Sequence, residues 1–172
     1  MVEIRNLTAA EAEQQIAALA AVLVDCVAGG ASVSFMAPFS QADAEAFFRT
    51  VVGEIGAGER ILLAAFLNGV LVGTVQIRLA TPPNQPHRAD IAKLLVLGSA
   101  RGQGIGGLLM AHVEKESLRA GKTLLVLDTV TGDPGERLYA KLGWTKAGVI
   151  PRYALYPDGR WCDTTIFWKR LA

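Results

Sequence analysis

A glycine-rich segment in the middle of the chain has the residue types needed to bind a large anion. Arg101 precedes Gly102, Gly104, Gly106 and Gly107. We expect this segment to open a helix, whose first N–H groups have no partner inside the helix and lie at the positive end of its dipole. Glycines leave room for a close approach, and an arginine can bind phosphate oxygens in a fork. The segment therefore predicts a pyrophosphate site.

One motif that fits these glycines is the dinucleotide fingerprint G-x-G-x-x-G. Gly102, Gly104 and Gly107 match it, and Asp128 follows at roughly the 20-residue spacing of that fingerprint. In a dinucleotide fold, however, the first glycine lies at the end of the strand, whereas a further segment intervenes here. Too little chain follows the loop to supply the remaining βα units. A nicotinamide-dinucleotide enzyme therefore stays a less favoured alternative.

A second motif, R/Q-x-x-G-x-G/A, is filled by Arg101, Gly104 and Gly106. Downstream, residues 139–144 supply Tyr-x-Lys-x-Gly-aromatic. Together they resemble the acetyl-coenzyme A (acetyl-CoA) binding signature of the GNAT family of N-acetyltransferases. Two further segments resemble more specifically the tabtoxin-resistance type of acetyltransferase, residues 29–36 and 93–102. The resemblance extends over nearly the whole chain.

The resemblance implies a cosubstrate, a reaction and a set of contacts. Acetyl-CoA would supply the acetyl group, and the acceptor would be a primary amine of a small molecule, such as an amino-acid-like toxin or antibiotic. The pantetheine arm would pair like an added strand with Leu95, Val96 and Leu97. The pyrophosphate would meet Arg101, Gly102, Gln103, Gly104, Ile105, Gly106 and Gly107. Ser34 and Phe35 would form a substrate wall, although the residues of this loop fit a core-filling role equally well.

Acyl transfer to an amine requires a route for two protons. An alkyl ammonium has a pKa near ~10.4, so a base or a water relay must deprotonate the acceptor. Asp90 and Asp128 are the candidate carboxylates. Asp90 could instead be an ion-pair partner of Arg88 or Lys93, and Asp128 could instead cap the turn after its strand. Tyr139 lies where the family has its general acid, and a phenol with a pKa near ~10 stays protonated at neutral pH.

The third catalytic requirement is a donor to the developing oxyanion. We expect a backbone N–H near Val96 to serve, freed by a strand bulge. Two departures from the family pattern concern neighbouring contacts. Gly98 replaces the proline common before the anion loop, and residues 129–133 lack the asparagine that many members use to bind pantetheine. Neither change removes the pyrophosphate site.

The periodicity and turn signals predict an α/β (α+β) domain with a mixed, mostly antiparallel sheet of six or seven strands, a central βαβ unit and helices on both faces. The predicted strands cover residues 2–6, 60–67, 70–80, 88–97, 123–127, 144–150 and 161–169. The predicted helices run from 8 to about 27, from 40 to the glycines at 53–58, from about 103 to 120, and from 133 to 143. Asp128 is expected at the tip of its strand. We expect one domain over residues 1–172.

Composition narrows the partners. The formal charge is +1 and the basic residues are scattered, so we expect no nucleic acid. No apolar run approaches the roughly 18 residues of a membrane span, and no leader sequence is evident, so we expect no membrane and a cytoplasmic location. Cys26 and Cys162 are expected to be reduced. His87 and His112 lack ligands at metal spacing, so we expect no metal.

The favoured function is therefore an acetyl-CoA-dependent N-acetyltransferase acting by direct attack in a ternary complex. A non-catalytic module that senses acyl-CoA is the alternative from a different functional class. A homodimer is compatible with the sequence.

Overall fold

The computed structural model describes residues 1–79 and 81–171. Its centre is one seven-stranded sheet in the order β1-β2-β3-β4-β5-β7-β6. The strands are β1 Val2–Asn6, β2 Arg60–Leu67, β3 Val70–Arg78, β4 Arg88–Val96, β5 Leu124–Val130, β6 Thr145–Leu155 and β7 Trp161–Arg170. All neighbours are antiparallel except β4 and β5, which are parallel. A parallel pair needs a crossover connection, and the helix between these two strands provides it. The predicted mixed sheet is confirmed.

Five α-helices and a short 3₁₀ turn of the described residues cover the sheet. They are α1 Ala9–Gln14, α2 Ile16–Ala28, α3 Gln41–Gly56, the 3₁₀ turn Gly98–Ala100, α4 Ile105–Arg119 and α5 Pro134–Lys141. Capping boxes at Thr8 and Ser40 start α1 and α3, which confirms the two predicted helix starts. The prediction of one helix from 8 to 27 was wrong at Gln15. Its N–H donates to Ala12 O, three residues back, and not to Glu11 O, four residues back as in an α-helix. The tightened turn separates α1 from α2.

The apolar core forms two layers, one on each face of the sheet. Leu109 and Met110 of α4 pack on one face against strand residues such as Leu63. On the other face, Leu23 of α2 and Phe48 of α3 pack against residues such as Leu62. Alternate residues of β2 thus face opposite layers, as the two-residue period of a strand requires. Helices on both faces are confirmed.

Strands β4 and β5 separate before they end. Their register pairs Arg88 with Leu124, Ala89 with Leu125 and Asp90 with Val126, and continues no further. On its other side, β4 pairs with β3 and has a bulge. Between the pairs Gln76–Ala92 and Thr74–Leu95, β4 contains one residue more than β3. Lys93, inside this bulge, has a φ of 55°, in the left-handed region. The bulge turns β4 away from β5 and opens a gap through the sheet.

Several predicted strand ends differ from the structure. β6 was predicted to end at 150 and continues to Leu155, where it pairs with Trp161 of β7. β5 continues past Asp128 to Val130 because β7 supplies a partner for every residue of it, up to Thr164 opposite Val130. Asp128 therefore lies within the strand and not at its tip. β3 ends at Arg78, and the predicted end at Ala80 lies outside the described residues. Within the described residues, no helix has both the length and the apolar character to span a bilayer.

Candidate active site

A cleft of about 900 Å³ follows the gap between β4 and β5. The glycine loop before α4 lines it, and so do residues of β6 and β7 such as Tyr153 and Thr164. The 29–33 loop and the side of α5 close it laterally. The elements that sequence analysis associated with binding therefore meet at one place.

The glycine loop offers a row of unused hydrogen-bond donors. Ile105 begins α4, and the first bond of the helix is from Leu108 N–H to Gly104 O at 3.1 Å. None of the six N–H groups from Gly102 to Gly107 donates to another described residue. No side chain caps the helix either. This concentration of free N–H groups at a helix N-terminus is an anion-binding arrangement.

The backbone conformation of the loop depends on glycine at two positions. Gly102 and Gly104 both have a φ of 77°, a region that side chains other than glycine enter at a cost of about 1–2 kcal/mol. A Cβ on Gly106 would lie 3.2 Å from Leu138 Cδ2, so this glycine lets α4 approach α5 closely. The loop thus needs glycine at 102 and 104 for its backbone conformation and at 106 for the contact between α4 and α5.

The Arg101 side chain is turned along the loop towards β4. Its Nε donates to Val96 O at 3.0 Å, and its guanidinium also donates to Cys26 Sγ at 3.5 Å. The Cys26 thiol itself lies against Val96 O, and burial raises the pKa of this thiol. Arg101 thus holds the loop against the end of β4. The sequence predicted that Arg101 binds phosphate, and it did not predict this contact with the backbone of β4.

The cleft wall contains most, not all, of the predicted cofactor-binding residues. Leu95, Val96 and the predicted loop residues other than Gln103 line it. Leu97 lies off the wall and its N–H donates to Val72 O at 2.8 Å, so its backbone is committed to the sheet. Leu94, which was not predicted, lines the wall instead. The bulge explains this shift, because it lies at Lys93 and Leu94, ahead of the position expected near Val96.

Tyr139 lies on α5 with its ring packed between Trp144 and Phe167, at centroid distances of 5.9 and 6.0 Å. Its side chain is buried yet lines the cleft. Burial, and then the negative charge of Asp128, raise the pKa of the phenol above its ordinary value. The hydroxyl makes no hydrogen bond to the described residues, so its proton is available to a ligand.

The two predicted carboxylates share a face of the sheet but only one lines the cleft. Leu127 packs in the layer of α4, so its neighbour Asp128 points to the opposite face, where it accepts a hydrogen bond from Thr164 Oγ1 at 3.2 Å. Asp128 lines the cleft. Asp90 lies where β4 and β5 are still paired, off the cleft wall, and its carboxylate is ion-paired with Arg88. Asp90 therefore forms the ion pair with Arg88 that the sequence left open as the alternative to a catalytic role.

The predicted substrate wall is only partly in the cleft. Residues 29–33 line it, whereas Ser34 and Phe35 do not. Phe35 packs against Phe39 and Phe47, which is the core-filling role left open by the sequence. Ser34 reaches the cleft through Lys93, whose Nζ donates to its Oγ at 2.9 Å.

Sequence reasoning missed Lys93 and both cysteines as cleft residues. Lys93 appeared only as a possible partner of Asp90, and only the bulge brings it into the cleft. Cys26 and Cys162 are free, buried thiols on the cleft wall. Among the described residues, no group of three or more histidine, cysteine, aspartate or glutamate side chains is arranged to hold a metal ion.

Comparison with known proteins agrees with this geometry. A model of the acetyltransferase (GNAT) family matches residues 26–144. An N-acetyltransferase of Staphylococcus aureus Mu50 superposes with a TM-score of 0.82 at 20% identity, covering 100% of this chain and 99% of that one. A Salmonella typhimurium structure, described as an acetyltransferase with its cofactor acetyl-CoA, gives 0.81 at 20% identity, covering 100% and 95%.

A third structure, the ribosomal-protein-alanine N-acetyltransferase of Brucella melitensis, gives a TM-score of 0.80 at 23% identity, covering 98% of this chain and 99% of that one. At these low identities the superpositions show the fold alone. The family match runs from residue 26, near the end of α2, to residue 144, just past α5. It therefore contains the glycine loop, β4, β5 and Tyr139. The chain is an acyltransferase and belongs to the GNAT family of acetyltransferases.

Proposed function

We propose that the protein transfers the acetyl group of acetyl-CoA to a primary amine of a small molecule, by direct attack in a ternary complex. The observation that carries the proposal is the junction of two features in one cleft. Six unpaired N–H groups at the start of α4 lie at one end, and the unpaired edges of β4 and β5 follow from them. A ligand with a diphosphate and an extended amide-containing arm matches both.

The residues present fit acetyl-CoA, which supplies an activated acetyl thioester when bound. The N–H groups of Gly102 to Gly107 would hold its pyrophosphate, and space is open at the positions of a Cβ on Gly102, Gly104 and Gly107. The backbone of Leu94 to Val96 would pair with the pantetheine arm. Arg101 would support this arm indirectly, because its guanidinium fixes Val96 O.

Tyr139 is proposed as the general acid. The leaving sulfur needs a proton, and a phenol whose pKa is raised by burial and by Asp128 stays protonated throughout the neutral range. Its hydroxyl has no competing acceptor among the described residues. The edge-on packing against Trp144 holds the ring in place.

Asp128 is proposed to attract the acceptor's ammonium and to assist its deprotonation, directly or through water. It is an exposed cleft carboxylate with no cation within salt-bridge distance among the described residues. Asp90 has less support for this role because Arg88 neutralises it. The developing oxyanion would be stabilised by a backbone N–H at the bulge, where Lys93 and Leu94 have no register partner on β3 or β5.

The finer acceptor class rests on the motif resemblance. The tabtoxin-resistance type implies an amino-acid-like molecule, and toxin resistance would follow from acetylation of such a compound. We further propose that residues 1–172 act as one catalytic domain, because a single sheet joins β1 at one edge to β6 at the other.

The proposal is tested by measuring thiol release from acetyl-CoA with a panel of primary amines, amino acids and a peptide with an N-terminal alanine, and by mass spectrometry of the products. We expect a mass gain of one acetyl group on a small-molecule amine. Acetylation of the peptide alone would contradict the acceptor class. Binding of acetyl-CoA without turnover on any acceptor would support the sensing module instead.

A further inference from the structure

Lys93 is a cation in the cleft with no carboxylate partner. Its Nζ donates to Ser34 Oγ at 2.9 Å and lies 5.8 Å from the centroid of the Phe35 ring. Among the described residues, no carboxylate oxygen lies within the 4.0 Å of a salt bridge to it. A half-buried ammonium usually has an acidic partner, because the loss of water around a charge costs free energy. Lys93 therefore has no ion-pair partner among the described residues.

Charged side chains of three neighbouring strands act on Lys93. Burial lowers the pKa of Lys93, the negative charge of Asp128 on β5 raises it, and the positive charges of Arg60 on β2 and Arg78 on β3 lower it. Glu54 is ion-paired with Arg60 at 2.5 Å, whereas no ion pair among the described residues includes Arg78. Lys93 and Arg78 therefore both lack an ion-pair partner among the described residues, so an anion can bind Lys93 without displacing a carboxylate.

The contact between Lys93 and Ser34 is built from two unfavourable backbone conformations. Ser34 has a φ of 82° and Lys93 a φ of 55°, and neither is glycine. Such conformations are unfavourable for residues with a side chain, and residues of this kind cluster at ligand sites. The fold holds both residues so that one hydroxyl and one ammonium converge at the side of the cleft.

We propose that Lys93 binds an acidic group of the acceptor, so that the acceptor carries a primary amine and a carboxylate or similar anion. Asp128 attracts the ammonium end and Lys93 the acidic end, and the two side chains are not in salt-bridge contact with each other. Ser34 supports Lys93 and can share its hydrogen bond with the anion. This inference rests on the proposed function and makes the cleft selective for amino-acid-like acceptors.

The test compares each amino acid that is acetylated with the amine formed by its decarboxylation. We expect the wild type to favour the amino acid by at least about tenfold in kcat/KM, as the loss of a charge-assisted contact of about 1.5–3 kcal/mol implies. Lys93→Met keeps the length and apolar stem of the side chain but removes the charge, so KM for the amino acid should rise by about the same factor. The preference of the variant for the amino acid over the amine should therefore be lost.

Lys93→Arg is the matched control, because it keeps the positive charge and should keep most of the preference for the amino acid. If Lys93→Met does not fold, Lys93→Gln is measured in its place. Equal wild-type use of both acceptors, or an unchanged preference in the uncharged variants, would overturn the role of Lys93 while leaving acetyl transfer intact. Absence of acetyl transfer to every acceptor would instead overturn the proposed function, and the inference with it.

Discussion

At the scale of single residues, Tyr139 is the clearest test of the chemistry. Tyr139→Phe removes only a hydroxyl that bonds to no described residue, and the ring contacts with Trp144 and Phe167 remain. We expect kcat to fall by about 10²-fold or more, the usual contribution of a positioned acid. KM for acetyl-CoA and the melting temperature should be nearly unchanged.

The pH profile of the wild type provides a second measurement on Tyr139. The pKa of this phenol is raised, so the acid form persists as the pH rises, and its loss requires a pH above the ordinary value of 10.0. We therefore expect no fall in kcat attributable to Tyr139 between pH 7 and about 10. A basic limb below this range that disappears in Tyr139→Phe would contradict the expected direction.

Substitution of Arg101 tests whether its guanidinium binds the phosphates of the cosubstrate or holds the glycine loop against β4. Because its guanidinium bonds to Val96 O, Arg101→Met should weaken the strand edge that receives the pantetheine arm. We expect KM to rise several-fold both for acetyl-CoA and for S-acetylpantetheine, which has no pyrophosphate. A loss confined to acetyl-CoA would show that the arginine binds the phosphates directly. Arg119→Met, on the exposed end of α4, is the control for a general loss of charge.

At the scale of elements, the loop before α4 depends on Gly104. Gly104→Ala places a side chain at a φ of 77°, so we expect a loss of about 1–2 kcal/mol in unfolding free energy and weaker acetyl-CoA binding. Gly53→Ala is the matched control, because this glycine lies inside α3 at an ordinary φ with nothing near its Cβ position. It should stabilise the protein by about 0.5–1 kcal/mol in denaturant titrations. Equal effects of both substitutions would refute the special role of the loop.

The position of α5 depends on Glu136. One carboxylate oxygen accepts from Gly132 N–H at 2.6 Å and the other from Thr165 Oγ1 at 3.0 Å. The Gly132 bond is the main cause of a pKa lowered below the ordinary 4.5. Since the folded pKa is lowered, the charged carboxylate stabilises the fold above the ordinary pKa, and this contribution is lost as the pH falls through the lowered value.

Glu136→Gln turns one acceptor into a donor that faces another donor. We expect the variant to lose about 1–2 kcal/mol at pH 7, and the difference from the wild type to shrink as the pH falls below about 4. Melting temperatures across this range measure the effect. Glu45→Gln, in a surface pair with Arg49, should change stability by less than about 0.5 kcal/mol. A difference for Glu136→Gln that persists undiminished at low pH would count against the charge argument.

At the scale of the whole molecule, ligand binding should stabilise the native state because the cleft exists only when the sheet is folded. At a concentration one hundred times its Kd, acetyl-CoA should add about 2.7 kcal/mol, or roughly 5–10 °C in melting temperature. NAD and NADP at the same concentration should give much smaller shifts, since the sheet of the described residues has one parallel pair and not the two βαβαβ halves of a dinucleotide fold. A larger shift with NAD would favour the dinucleotide alternative.

Much of this architecture was predictable because local signals act over a few residues. The capping boxes at Thr8 and Ser40, the Asn68-Gly69 turn and the glycine loop each specify a backbone conformation without distant partners. The order of elements around one crossover helix then required β4 and β5 to be parallel neighbours. The sheet, the loop at the start of α4 and the approximate position of Tyr139 followed from the sequence by itself.

Only the tertiary structure decided which side chains reach the cleft. The bulge at Lys93 depends on β3, where a Cβ on Gly73 would lie 2.9 Å from Leu95 O, and this contact joins residues far apart in the chain. One extra residue in a strand reverses which side chains face each side, so it brings Lys93 into the cleft. Asp90 is paired with Arg88 and lies off the cleft wall, where the two strands have not yet separated. Register and strand separation are properties of packed neighbours, and no single segment encodes them.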